Sequence, residues 1–179
     1  MKNTLFPLLI IINSIFAQNY EIDNVRAIGQ IPSTSFSDIW GYTAPDGHEF
    51  ALAGKSDGTS IIDISTNPHN PVEVGFIPGA SSTWGDLKVH GHYCYVTNET
   101  GGGLDIISLE DPFNPYKVGA YTSTFTSAHN INIADGYAYI FGANVDAGGC
   151  RILDLSDPEN PVEVGSWEGA YFHDGYVKN

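Results

Sequence analysis

Basic residues and cysteine are both scarce in this chain. It has 7 Lys and Arg against 21 Asp and Glu, which gives a formal net charge of −14. A basic face for nucleic acid is therefore absent, and an anionic membrane surface would repel the protein. Cys94 and Cys150 are too few for a disulfide framework, and whether these two form a bridge stays open. The fold must therefore be held by a hydrophobic core.

Strongly apolar sequence is confined to the N-terminus. Lys2 precedes an apolar stretch over residues 5–16, and polarity returns after Ala17. This order is typical of a secretory signal peptide, here residues 1–17. The alternative is a permanent N-terminal anchor, although the stretch is short for a bilayer span. We expect a mature domain over residues 18–179 that is secreted, extracellular or held at the cell surface, and not integral to the membrane.

A pattern punctuated by prolines recurs three times along the chain. Pro68, Pro112 and Pro158 each open the same Pro-x-Asn-Pro turn, about 45 residues apart. Paired prolines remove backbone donors, so a strand must end at each turn. No segment shows a helical period. Each repeat therefore predicts four short antiparallel strands, which in the second repeat are roughly residues 86–89, 93–97, 104–108 and 116–121.

The strand faces indicate how the repeats pack. In residues 93–96 and 137–140, tyrosines alternate with small or aliphatic residues, so both faces are largely apolar. Sheets that are apolar on both sides must stack on neighbours. Four strands in each repeat fit a propeller blade, and the regular period disfavours the alternative of a β-sandwich. We predict an all-β fold, a β-propeller of four-stranded antiparallel blades. Its repeats are expected at about 36–77, 83–121 and 127–167, with the start of a fourth at 172.

The two ends of the chain resemble parts of a repeat. Residues 25–31 match the last strand of the first repeat, with Gly29 in the place of Gly75. Residues 172–177 match the opening of a repeat. We therefore expect an incomplete propeller, about three blades plus parts of two others, whose missing C-terminal part completes the ring.

Two levels of resemblance follow from these motifs. The Asp-Ile/Leu-Ser-x-Asn/Asp-Pro-x-Asn-Pro-Val pattern within residues 62–72 and 153–162 resembles the LVIVD repeat of extracellular proteins. The second repeat departs from it, with Ser108 for Asp and Tyr116 for Val. From about residue 24 to the end, the ordered motifs are similar to the bacterial choice-of-anchor B family. That resemblance implies a secreted or surface-attached propeller with a surface anchor beyond residue 179, and it implies no particular reaction. The motifs that carry it are residues 37–42, 57–60, 84–89, 128–131 and 172–174.

Polar residues stand in register at the first strand of each repeat. First strands lie nearest the axis of a propeller, so these side chains are expected to converge at one mouth of the central channel. Oxygen ligands there suit calcium, and imidazoles suit a transition metal, so a divalent cation is a candidate cofactor. The competing interpretation is structural, because short polar side chains at strand starts commonly accept backbone N–H bonds. The ligand or metal candidates are Asp38, Asp86, His129, Asn130, His173 and Asp174.

His129 and His173 are not a feature of every repeat, because Ser37 and Gly85 stand at the aligned positions. A structural role common to all blades therefore explains the two histidines less well than the other candidates. Trp40 and Trp84 could stack on sugars, although neighbouring apolar residues favour packing between blades.

Enzyme motifs are absent from the sequence. It contains no G-x-S-x-G, H-E-x-x-H or Walker loop, and no catalytic residue is predicted. We therefore expect a protein that is not an enzyme but a binding, adhesion or display module. Its expected partner is an extracellular protein or glycan. The alternative is a metal-dependent hydrolase with its site at the channel mouth.

Overall fold

The computed structural model describes residues 26–32 and 35–178, so the predicted signal peptide lies outside the described part. Twelve strands form three four-stranded antiparallel sheets, and the described residues contain no helix. None of them therefore forms a helix that could cross a membrane. The strands of the first sheet are β1 (Phe36–Thr43), β2 (Glu49–Lys55), β3 (Gly58–Asp63) and β4 (Val72–Pro78). Those of the second are β5 (Leu87–His90), β6 (Tyr93–Val96), β7 (Leu104–Ser108) and β8 (Tyr116–Tyr121). Those of the third are β9 (Asn130–Ala134), β10 (Tyr137–Phe141), β11 (Cys150–Asp154) and β12 (Val162–Trp167).

Each sheet is a blade in which consecutive strands pair in chain order. The first strands of successive blades lie side by side, β1 against β5 and β5 against β9. The blades therefore fan out from their first strands, and the predicted all-β fold with propeller-type, four-stranded antiparallel blades is confirmed.

The proline turn repeats in detail between the third and fourth strands. The backbone N–H of Asn70 donates to Asn67 O at 2.9 Å, and the same bond recurs at Asn114 and Asn160 at 3.0 and 3.1 Å. Each of these strand pairs also carries one register shift at the same point, a β-bulge that bends the outer strand. The substituted Ser108 keeps a local bond, because its hydroxyl accepts from Glu110 N–H at 3.4 Å.

The core lies between blades rather than within one blade. One cluster joins the first two blades and includes Phe50, Leu52, Ile61, Leu87, Cys94 and Ile107; the second joins the last two and includes Tyr95, Leu104, Ile106, Ile131, Ile140 and Leu153. Neighbouring residues of the middle blade thus point into different clusters, as Cys94 and Tyr95 do. Each fully buried large apolar side chain contributes about 1.5–3 kcal/mol, so the blades stabilise one another.

Burial differs between the tyrosine-rich strands β6 and β10. Tyr95 is fully buried, but Tyr137 is 36% exposed. Ala138 and Ile140 of β10 face the middle blade, so Tyr137 points to the opposite face, which no described blade covers. Among the described residues, the apolar strand β10 is thus covered by a neighbouring blade on one face only.

Both cysteines are free and buried. Burial raises the pKa of the Cys94 thiol to about 12 and that of Cys150 to about 11. The thiols are therefore protonated at neutral pH, and the alternative of a bridge between them is not realised in this structure.

The segment before β1 packs against the first blade without forming a strand over residues 26–32. A Cβ added to Gly29 would lie 2.9 Å from Pro71 Cδ, and one added to Gly75 would lie 2.8 Å from Pro115 Cδ. Gly29 thus packs against the proline turn of the first blade in the same way that Gly75 packs against the proline turn of the second blade, as the alignment predicts. The described residues 172–178 form no strand either.

Candidate functional site at the inner strand ends

The aligned polar residues lie at the same end of the inner strands. Asp38 is in β1, Asp86 directly precedes β5, and Asn130 opens β9. Thr97, which directly follows β6, anchors this region, because its hydroxyl accepts from Asp86 N–H at 3.1 Å. In every blade the first strand begins at this end. Residues at equivalent positions of the repeat therefore lie at the same end of their blades.

Asp38 makes the structural bond that the competing interpretation expects. Its Oδ2 accepts from the backbone N–H of Leu87 at 3.2 Å and from Lys88 Nζ at 3.1 Å, both in the next blade. The Lys88 ammonium also lies 4.5 Å from the centre of the Trp40 ring. Asp38 therefore joins two blades, and its charge is already paired.

Asp86, Asn130 and Asp174 form a chain of side-chain hydrogen bonds. The Asn130 amide donates from Nδ2 to Asp86 Oδ2 and, at 3.0 Å, to Asp174 Oδ1. Burial, followed by the nearby Asp38 carboxylate, raises the pKa of Asp86. An uncharged amide thus bridges two carboxylates that would otherwise repel each other.

The two histidines meet beside this chain. The centres of the His129 and His173 rings are 3.8 Å apart. His129 Nδ1 pairs with the Glu99 carboxylate, and His173 Nδ1 pairs with Asp174 Oδ2 at 2.7 Å. Gly142 packs against His129, since an added Cβ there would be 2.9 Å from His129 Cβ. Two imidazoles and a carboxylate therefore share one small region of surface.

The structure brings together five of the six predicted residues, His129, Asn130, His173, Asp174 and Asp86, and places Asp38 next to them through Leu87 and Lys88. Glu99 also belongs to the site, although no motif in the sequence predicts it. Glu99 belongs to the loop between β6 and β7. This connection differs in length from blade to blade, so the repeat spacing offers no signal for Glu99.

Trp84 lies two residues before Asp86 and is 58% exposed. Its backbone N–H donates to Ser82 Oγ at 3.2 Å, and the same hydroxyl donates to Trp84 O at 2.7 Å. This local loop turns the side chain outwards, so the expectation that it packs between blades is wrong. Trp40, under Lys88 of the next blade, keeps an inter-blade contact but is also partly exposed.

The sequence of the repeat unit matches a known family of repeats. The model of the LVIVD repeat matches residues 83–123 and 126–168, which are the second and third blades. The chain carries LVIVD repeats. The first blade lies outside the two matches, yet it has the same strand order and the same bulge as the LVIVD-matched blades. No curated protein matches the chain.

Proposed function

We propose that this LVIVD-repeat chain is a secreted or cell-surface binding module that takes an extracellular glycan at the inner strand ends. The observation that carries the proposal is the exposed Trp84 ring close in sequence to a row of hydrogen-bonding side chains. A sugar ring has an apolar C–H face that stacks on an indole, and hydroxyl groups at its rim that donate to carboxylates. Asp86 and Asp174 supply such acceptors. The similarity to the bacterial choice-of-anchor B family supports the extracellular location.

A protein ligand is the competing occupant of this surface. The formal charge of −14 would favour a basic protein partner through long-range attraction. That attraction weakens steeply with salt, whereas stacking on Trp84 does not. Binding measured at low and high salt therefore separates the two classes of ligand.

The test is a glycan array probed with the labelled mature chain, followed by titration of any glycan that binds. Trp84→Ala should weaken binding at least about tenfold, because exposed tryptophans commonly dominate binding surfaces. Tyr116→Ala is the matched control, since Tyr116 is similarly exposed but lies on the outer strand β8. Equal effects of the two substitutions, or binding to basic proteins alone, would contradict the proposal.

A second candidate function is metal-dependent hydrolysis at the same end of the blades. The convergence of His129, His173 and Asp174 favours it, because three protein ligands and an open position are typical of catalytic zinc. The test is hydrolysis of chromogenic esters and phosphoesters by the metal-loaded chain. Activity that a chelator removes and that His173→Ala lacks would support it, and no hydrolysis by the loaded protein would refute it.

A further inference from the structure

We infer that His129, His173 and Asp174 bind one divalent transition metal of the zinc type, with Glu99 and Asn130 as positioning residues. Among the described residues these three side chains offer ligand atoms that all lie within 4.8 Å of one another. The inference does not rest on glycan binding, because Zn²⁺ binding is measured with no glycan present.

The donor atoms are already close to a metal-binding arrangement. Ligands of tetrahedral zinc at about 2.0–2.1 Å from the ion stand about 3.3 Å from each other. Donor atoms at the 4.8 Å limit must therefore approach by about 1.5 Å, whereas His173 Nδ1 and Asp174 Oδ2, now 2.7 Å apart, must give up their hydrogen bond. The side chains of His173 and Asp174 are each 65% exposed and can make this movement, whereas that of His129 is only 14% exposed. His129 is thus the fixed ligand, and the other two close on it.

Neighbouring side chains hold two of the ligands in the required orientation. The Glu99 carboxylate pairs with His129 Nδ1, which leaves Nε2 of the same ring to face a metal. Asn130 donates to Asp174 Oδ1, which leaves Oδ2 on the side of His173. Metal-binding histidines almost always have such a carboxylate or carbonyl partner on their second nitrogen, so Glu99 is placed as that partner.

The donor set favours a transition metal over calcium. Two imidazole nitrogens and one carboxylate suit zinc and similar ions, whereas calcium takes six to eight oxygen ligands. Elsewhere on the surface His48 and Asp46 form an ordinary exposed pair, Nδ1 to Oδ2 at 3.2 Å. That pair has a single imidazole and is not part of a three-ligand group. His48 is therefore the matched control, a histidine that pairs with a carboxylate but is not expected to bind a metal.

The experiment is calorimetric titration of the metal-free mature chain with Zn²⁺, with metal content measured after dialysis. We expect one Zn²⁺ per chain, loss of binding in His173→Ala and His129→Ala, and unchanged binding in His48→Ala. His173 is exposed, so its replacement leaves the fold intact, and circular dichroism verifies this for both variants. No binding by the wild-type chain, or equal binding by the three variants, would overturn the inference.

A second variant tests the positioning role of Glu99. Glu99→Gln should keep the stoichiometry and weaken Zn²⁺ affinity about 10- to 100-fold, as loss of such partners does in other metal sites. The Co²⁺-loaded wild-type chain should show the intense visible absorption of a four-coordinate centre. A weak, six-coordinate spectrum, or displacement of Zn²⁺ by equimolar Ca²⁺, would contradict the assigned donor set.

Discussion

Replacing Gly75 by alanine puts a methyl group into the contact between the first two blades. The new Cβ would lie 2.4 Å from Cγ and 2.8 Å from Cδ of Pro115. Carbon atoms in favourable contact stand about 3.5–4.0 Å apart, so the proline turn or β4 must move by about 1 Å. The pyrrolidine ring has little freedom to do so. Overpacking of this kind costs about 1–3 kcal/mol, and we expect Gly75→Ala to lower the free energy of unfolding by that amount.

The repeat supplies the control for this prediction. Gly119 occupies the equivalent position in the second blade, but a Cβ there meets nothing within 4 Å. Gly119→Ala should therefore stabilise the protein by up to about 0.5–1 kcal/mol, because glycine in a strand costs that much relative to alanine. Urea denaturation measures both changes, and thermal melting should shift by about 2–4 °C per kcal/mol. Equal shifts for the two variants, or a gain for Gly75→Ala, would refute the packing of β4 against the next proline turn.

Three further predictions concern charge and thiol chemistry. Arg151 is 8% exposed and paired with three carboxylates, so Arg151→Met should cost about 1.5–3 kcal/mol in urea denaturation. Lys117→Met, which breaks one surface pair, should cost about 0–1 kcal/mol, and equal losses would contradict the difference in burial. The pKa of Asp86 is raised in the fold, so its ionisation costs stability as pH rises above its ordinary 3.8. Asp86→Asn should therefore raise the melting temperature at pH 7 but not well below pH 3.8. The same change in melting temperature at both pH values would contradict this prediction. Cys94 and Cys150 should react with a thiol reagent only after unfolding, and a reducing agent should leave melting unchanged; rapid labelling of the native chain would disprove their burial.

Strand positions were predictable because their signals are local. A proline lacks the backbone donor that a ladder needs, and therefore it marks a strand end whatever surrounds it. The predicted strands at about 104–108 and 116–121 coincide with β7 and β8. The alignment of the polar residues was predictable for a similar reason, since equivalent positions of a repeated blade lie at the same end of the blade. Asn130 accordingly lies between Asp86 and Asp174.

Burial and contacts between blades were not predictable from the same signals. Tyr95 and Tyr137 stand in similar apolar strands, but only Tyr95 has a described blade against it. Glu99 reaches His129 through the path of a loop, and no spacing in the sequence encodes that path. Trp84 points outwards because of two bonds to Ser82.

The sequence by itself thus determined the repeat unit, its strand order and the residues that share one end of the blades, because these depend on local backbone chemistry and a regular period. Only the tertiary structure decided which apolar faces are covered and that a carboxylate supports the histidine pair, because both depend on which distant parts of the chain come into contact.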